Sequence, residues 1–207
     1  MKGKFVTFEG CEGVGKSRQI KLLEEYLVKN NKEYYLTREP GGTPVSEQIR
    51  SVILDGKNVS MTDECEALLY AAARVQLLKE IVKPKLENGE LVFCDRYIDS
   101  SFAYQGYARG LGLEFVKRIN DYAVTNFMPD LTLFLNLPPE QAFKRKGGAD
   151  AGDRLEQTGL EFHNKVYAGY LDLAKIYKDR FVVIDASGTK EQTHSKIINA
   201  LKERGII

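Results

Sequence analysis

The chain carries almost no net charge: 30 Lys and Arg oppose 29 Asp and Glu, a formal balance of +1. With no excess of either sign there is no global field to grip a polynucleotide or an anionic membrane, so a phosphate ligand must be held by local geometry. Cysteine is scarce and odd in number. Cys11, Cys65 and Cys94 show no C-x-x-C spacing, which argues against a disulfide framework or a zinc site and fits a reducing compartment. No apolar run approaches the roughly 18 residues of a membrane span. Lys4-Phe5-Val6-Thr7-Phe8 reads as a strand, with no apolar signal core behind a basic start. Together these absences predict a cytoplasmic protein with neither a membrane nor a nucleic-acid partner.

What is present is an ordinary globular composition, 43% hydrophobic and 29% charged over 207 residues. That length suits one large domain, residues 1–207, around one core. Strand patterns at Lys4–Glu9, Glu33–Arg38, Leu91–Asp95, Leu131–Asn136 and Phe181–Asp185 alternate with helical ones. The helical patterns cover Ser17–Asn30, Pro44–Asp55, Asp63–Glu87, Asp99–Arg109, Leu113–Asn126, Pro139–Lys146, Leu160–Asp179 and Glu191–Arg204. Such alternation predicts an α/β fold, a five-stranded parallel sheet flanked by helices. The only loose stretch, Gly147-Gly148-Ala149-Asp150-Ala151-Gly152, is too short to divide domains but suits a mobile lid at about 145–157.

Gly10-Cys11-Glu12-Gly13-Val14-Gly15-Lys16-Ser17 is a complete G-x-x-x-x-G-K-S that follows a strand and opens a helix. In that context the glycines let backbone N–H groups point at phosphate oxygens, with the positive helix end behind them. Lys16 would reach the β- and γ-phosphates of ATP or GTP, and Ser17 would ligate Mg²⁺. The loop predicts a three-layer P-loop NTPase fold. It does not name the reaction. A GTPase switch would need Asn-Lys-x-Asp, and both Asn31-Lys32-Glu33-Tyr34 and Asn164-Lys165-Val166-Tyr167 lack the Asp. Asp185-Ala186-Ser187-Gly188 imitates a D-x-x-G element but follows the fifth strand, too late in the chain order.

Four further clusters suggest a second, smaller phosphate-bearing substrate. Thr37-Arg38-Glu39-Pro40-Gly41-Gly42-Thr43 ends the second strand, where open α/β sheets bind ligands, and Arg50 follows on a helix. The alternative is a surface turn with incidental charges. Tyr70 and Arg74 lie one turn apart inside an apolar arc of Ala71, Val75, Leu77, Leu78, Ile81 and Val82. A guanidinium there needs a hydrogen-bond acceptor, either a structural carboxylate or the carbonyl of a bound base on which Tyr70 stacks. In Asp95-Arg96-Tyr97, Asp95 is placed to hold Mg²⁺ and Arg96 to fork onto a phosphate, unless the two pair with each other. Beyond it Ser100, Ser101, Tyr104 and Gln105 line one helix, and the Gln105 amide could exchange two hydrogen bonds with a nucleobase edge. Last, Arg145, Lys146 and Arg154 bracket the loose segment; they are either solvated loop charges or the cations with which a closing lid would neutralise charge developing on the transferred phosphoryl group.

With Thr-Arg-Glu-Pro-Gly-Gly, Asp-Arg-Tyr-Ile-Asp-Ser-Ser, Ala-Tyr-Gln-Gly and Asp-Arg-Leu-Glu alongside the phosphate loop, the chain resembles bacterial thymidylate kinases from end to end. The resemblance implies an ATP- and Mg²⁺-dependent kinase for dTMP, usually a homodimer, with Gly10 to Ser17 on ATP. It implies that Glu12 sits near the dTMP 3′-hydroxyl and the metal, that Arg50 and Arg96 grip the acceptor phosphate, and that Arg38 and Glu39 border it. Tyr70, where the family often has Phe, would stack on thymine, and Arg74 and Gln105 would read its edge. Ser101 would line this pocket and Tyr104 would pack beside the deoxyribose. Arg145 and Arg154 would serve from the lid. Two features depart from the pattern: Arg18 stands where a second Thr is common, and Lys146–Asp153 is poorer in Arg than is typical. The rival readings are a kinase for dUMP, CMP or AMP, and a nucleotide-binding regulator that transfers no phosphate.

Overall fold

A computed structural model describes residues 3–146 and 158–207. Its sheet has five parallel strands: β1 (Lys4–Glu9), β2 (Tyr35–Arg38), β3 (Leu91–Asp95), β4 (Leu131–Asn136) and β5 (Phe181–Asp185). Their spatial order is β2-β3-β1-β4-β5, with Phe8 beside Asp95 and Glu9 beside Phe134. Successive strand residues point to opposite faces, so the unbroken buried runs Phe5–Glu9 and Leu131–Leu135 mean that both faces are covered. The expected fold class is the observed one. Among the described residues no helix is long and apolar enough to cross a membrane.

The helices follow the expected order: α1 (Lys16–Lys29), α2 (Pro44–Leu54), α3 (Asp63–Leu77), α4 (Lys83–Glu87), α5 (Ile98–Ser101), α6 (Leu113–Ile119), α7 (Asp121–Asn126), α8 (Pro139–Lys146), α9 (Gly159–Ile176) and α10 (Lys190–Glu203). Three differ from the sequence reading. The single helix expected over 63–87 widens into a π-helical turn at Leu78–Val82 before α4. Pro84 lacks an N–H and its ring would crowd the carbonyl four residues back, so the wider turn accommodates it. The helix expected over 99–109 is α5 continued by a π-helical stretch, Phe102–Ala108. The third, over 113–126, breaks at Asn120, whose side chain donates back to the Val116 carbonyl at 2.9 Å and accepts from Arg74 at 2.6 Å.

Asp99 anchors the segment that carries Arg96. Its carboxylate, fully buried, takes two parallel bonds of 2.7 Å from the Arg180 guanidinium and a third of 2.9 Å from the Thr132 hydroxyl. The pair ties the start of α5 to β4 and to the turn before β5. Removing one partner strands the other charge in a poorly solvated place. We therefore expect Asp99→Ala to lose about 3–5 kcal/mol of stability in urea denaturation. A loss within about 1 kcal/mol, the range of an exposed pair, would contradict this anchoring role.

Candidate active site

The phosphate loop turns between β1 and α1 because three glycines hold left-handed or extended positive-φ conformations, Gly10 at 148°, Gly13 at 75° and Gly15 at 96°. Two are also confined by space. A Cβ on Gly10 would lie 2.9 Å from the Leu135 carbonyl oxygen, and one on Gly13 would lie 2.8 Å from that of Ala142. No other residue fits without moving β4 or α8. Cys11 is buried within the loop, and burial pushes its thiol up to about 12, so it is packing rather than a nucleophile. Lys16 is buried too, and burial, together with the Arg96 charge, lowers its pKa. Its Nζ makes only long contacts, 3.4 Å to the Gly10 carbonyl and 3.5 Å to that of Cys11, which leaves strong donors for a better acceptor.

Arg96 occupies the far wall. It is a non-glycine residue with φ 66°, and its N–H donates to the Phe8 carbonyl at 2.9 Å. A left-handed conformation costs an L-residue roughly 1–2 kcal/mol, and here it swings the side chain across the end of β1. The guanidinium donates to the Gly10 carbonyl at 3.0 Å and the Ser100 hydroxyl at 3.2 Å, pairs with the Glu12 carboxylate, and lies over the Tyr104 ring. Burial would raise the Glu12 pKa, but Arg96 and Lys16 outweigh it and hold the carboxyl at about 2. Glu12 is thus ionised at every physiological pH.

Behind Arg96 stands a group that the sequence did not single out. Glu9, fully buried at the end of β1, accepts from the Tyr97 and Ser100 N–H groups and from the Ser100 and Tyr170 hydroxyls, the latter at 2.8 Å. Burial and the nearby Asp99 charge raise its pKa to about 7. Tyr170 comes from α9, 161 residues along the chain, so no local pattern could have announced it.

On the opposite side, Arg74 is fully buried. Its Nε donates to Glu39 at 2.7 Å and its terminal nitrogens to Asn120 at 2.6 Å, Ser101 at 3.0 Å and the Tyr97 carbonyl at 3.3 Å. The acceptor that the apolar arc required is therefore present in the protein, as Glu39 and Asn120. Burial, opposed by Arg74, raises the Glu39 pKa to about 7, and Glu39 Oε1 is buried with no partner among the described residues. Arg50 donates to the Pro40 carbonyl at 2.8 Å, and Arg38 makes an exposed pair with Glu47.

These groups meet. One cavity of about 210 Å³ is lined by Glu12, Lys16 and Ser17 from the phosphate loop and by Arg38, Glu39 and Arg50 from β2 and α2. Tyr70, Arg74, Asp95, Arg96, Ser101, Tyr104 and Gln105 are also on its wall. Asp95 Oδ1 is buried with no partner among the described residues, and Asp95 lines the same cavity as the exposed Ser17. One carboxylate, one hydroxyl and the phosphates of a nucleotide suit Mg²⁺, a hard cation that keeps several waters. Arg145 stands apart: it donates to the carbonyls of Ala186 at 2.7 Å and Ser187 at 2.6 Å, after β5. Arg154 and most of the expected lid lie outside the described residues.

The family model for thymidylate kinase matches residues 8–197. The chain belongs to the thymidylate kinase family. It is 47% identical over 203 residues to the thymidylate kinase of Thermoanaerobacter sp. (strain X514), covering 98% of this chain and 99% of that one. It is 48% identical over 207 residues to the thymidylate kinase of Lactobacillus acidophilus, covering 99% and 96%. A third relative, from Clostridium novyi (strain NT), is 48% identical over 203 residues, with 97% and 99% covered. Membership of the thymidylate kinase family therefore extends over nearly the whole chain.

A pH dependence follows from Glu9. Its ordinary pKa of 4.5 describes the unfolded chain and about 7 the folded one. Between these values the native state holds the extra proton, so this carboxyl's contribution to stability is full below 4.5 and is lost as pH rises through 7. Glu9→Gln cannot titrate, so its melting temperature relative to the parent should climb across that window. A gap that does not change with pH would show that Glu9 does not take up a proton there.

Proposed function

We propose that this enzyme transfers the γ-phosphoryl group of ATP to dTMP, yielding dTDP for dTTP synthesis. What supports this most is that phosphate-loop side chains and the Tyr70–Gln105 wall open into the same cavity, as transfer between two bound phosphates requires. Transfer is in-line with no covalent enzyme intermediate. Positioning and charge stabilisation supply the rate, and the acceptor, already an ionised phosphate, needs no strong general base.

The residues divide by charge and shape. Gly10 to Ser17 cradle the ATP phosphates, with Lys16 on the β- and γ-oxygens. Ser17 and Asp95 hold Mg²⁺, which when bound offsets the negative charge of those oxygens. Arg50 and Arg96 grip the dTMP phosphate, bordered by Arg38 and Glu39. Glu12, held beside Arg96, lies near the 3′-hydroxyl and the metal. Tyr70 stacks on thymine, Arg74 and Gln105 face its edge, Ser101 lines the pocket, and Tyr104 packs beside the deoxyribose. Because four donations already tie up Arg74, its part in base contact is to hold Glu39, Ser101 and Asn120 in place as much as to donate. Arg154 acts from the lid, and Arg145, bonded in this structure to the Ala186 and Ser187 carbonyls, serves from its α8 end.

The reading includes a single domain over residues 1–207 and a cytoplasmic homodimer with no nucleic-acid or membrane partner. Support for the dimer comes from Val45 and Val52, which share a face of α2, and Leu68 on the adjoining α3, all about half exposed. The test is an ADP-release assay with ATP across the nucleoside monophosphates. We expect dTMP to stimulate release most, dUMP less because a single methyl is worth about 1–3 kcal/mol, and CMP and AMP hardly at all. Lys16→Ala should remove at least roughly 100-fold of the dTMP rate with its circular dichroism unchanged. Release that no monophosphate stimulates, or full activity in that variant, would overturn the proposal.

A further inference from the structure

Gln105 sits on the π-helical stretch Phe102–Ala108 and is buried, yet lines the cavity. Behind it lies Glu66, from the first turn of α3 and fully buried. The Gln105 amide Nε2 donates to Glu66 Oε1 at 2.8 Å. Arg109, just past the end of the same stretch, donates to Glu66 Oε2 at 3.0 Å and, at the longer distance of 3.4 Å, to Oε1. Arg109 is held in turn by Asp63 at 3.2 Å and by the face of Phe162 at 4.8 Å.

We infer that Glu66 and Arg109 are positioning residues that lock the Gln105 amide in the orientation selecting a 4-oxo over a 4-amino pyrimidine. This rests on the placement of Gln105 beside the base under the proposed function. A carboxylate can only accept, so the amide nitrogen must face it. A flipped amide would set two acceptor oxygens 2.8 Å apart at a buried site. The locked amide is left with its carbonyl oxygen and one N–H to offer. A 4-oxo pyrimidine presents a complementary pair, the N3–H donor beside the O4 acceptor. A 4-amino pyrimidine presents the reverse, an N3 acceptor beside an amino donor, and would need the flipped amide. Base choice at this edge is thus set one layer behind the pocket wall. A site built around a fixed donor–acceptor pair rejects the wrong pair strongly, because its own buried polar groups are left unmatched.

The experiment compares kcat/KM for dTMP and for 5-methyl-dCMP, which differ only at this edge, in the full-length protein. In Glu66→Gln, Arg109 draws the new carbonyl toward the former Oε2 position, so an amide nitrogen faces Gln105 and turns its amide over. The dTMP to 5-methyl-dCMP ratio should fall on the order of 100-fold, while KM for ATP stays at the parent value. Because that variant deprives the Arg109 charge of the Glu66 carboxylate, a second one, Glu66→Leu with Arg109→Leu, replaces both charges by apolar side chains of a kind that such sites tolerate. It frees the amide, and the ratio should fall roughly 10-fold. A purely structural role would lower the melting temperature of both and leave the ratio alone. A parental ratio in either folded variant overturns the inference. Failure of the unmodified enzyme to use dTMP would instead overturn the proposed function.

Discussion

The site depends on Arg96 being held in a left-handed conformation between the phosphate loop and the acceptor wall. From that position one guanidinium touches the Gly10 carbonyl, the Glu12 carboxylate and the Ser100 hydroxyl. The phosphate loop and the wall across the cavity from it are therefore parts of one hydrogen-bonded unit. Two polyanions repel strongly when brought into contact in a site with little water, and cations fixed in advance lower that repulsion without reorganising. The backbone strain at Arg96 is modest beside such interactions, and it persists because the surroundings over-determine it.

Those surroundings consist of buried charge, which is costly unless every member is satisfied. Asp99 with Arg180 holds the start of α5, Glu39 with Arg74 holds the loop after β2, and Glu9 collects four donors beneath Arg96. None of these clusters stabilises the fold cheaply. What each provides is position. Arg74 shows this best, since a guanidinium within an apolar arc joins α3, the loop after β2, the start of α5 and Asn120 through four bonds. The break between α6 and α7 is part of the same arrangement, because Asn120, which stands at that break, accepts from Arg74 at 2.6 Å.

How much of this could be read from the chain depended on the range of the interaction. The phosphate loop was legible because its glycines, lysine and serine act through neighbours in sequence, and the five strands because buried parallel strands are short β-branched or aromatic runs. The need for an acceptor at Arg74 was legible from helix periodicity; its identity was not, since Glu39 lies 35 residues away. Glu9 and Tyr170 join positions 161 residues apart, and Glu66 and Gln105 positions 39 apart, with no local mark. The π-helical segments were likewise invisible, because their composition suits an ordinary helix. The lid arginines divide the same way: Arg145 could be seen as basic, but its bonds to Ala186 and Ser187 depend on where β5 ends.

In the proposed reaction donor and acceptor nucleotides occupy one continuous cleft bridged by Lys16 and Arg96. A bisubstrate probe in which adenosine and thymidine are joined through five phosphates tests this by isothermal titration. One probe should bind per chain, more tightly than ATP or dTMP alone, and be displaced by either. Two probes per chain, or displacement by only one of the two nucleotides, would contradict it.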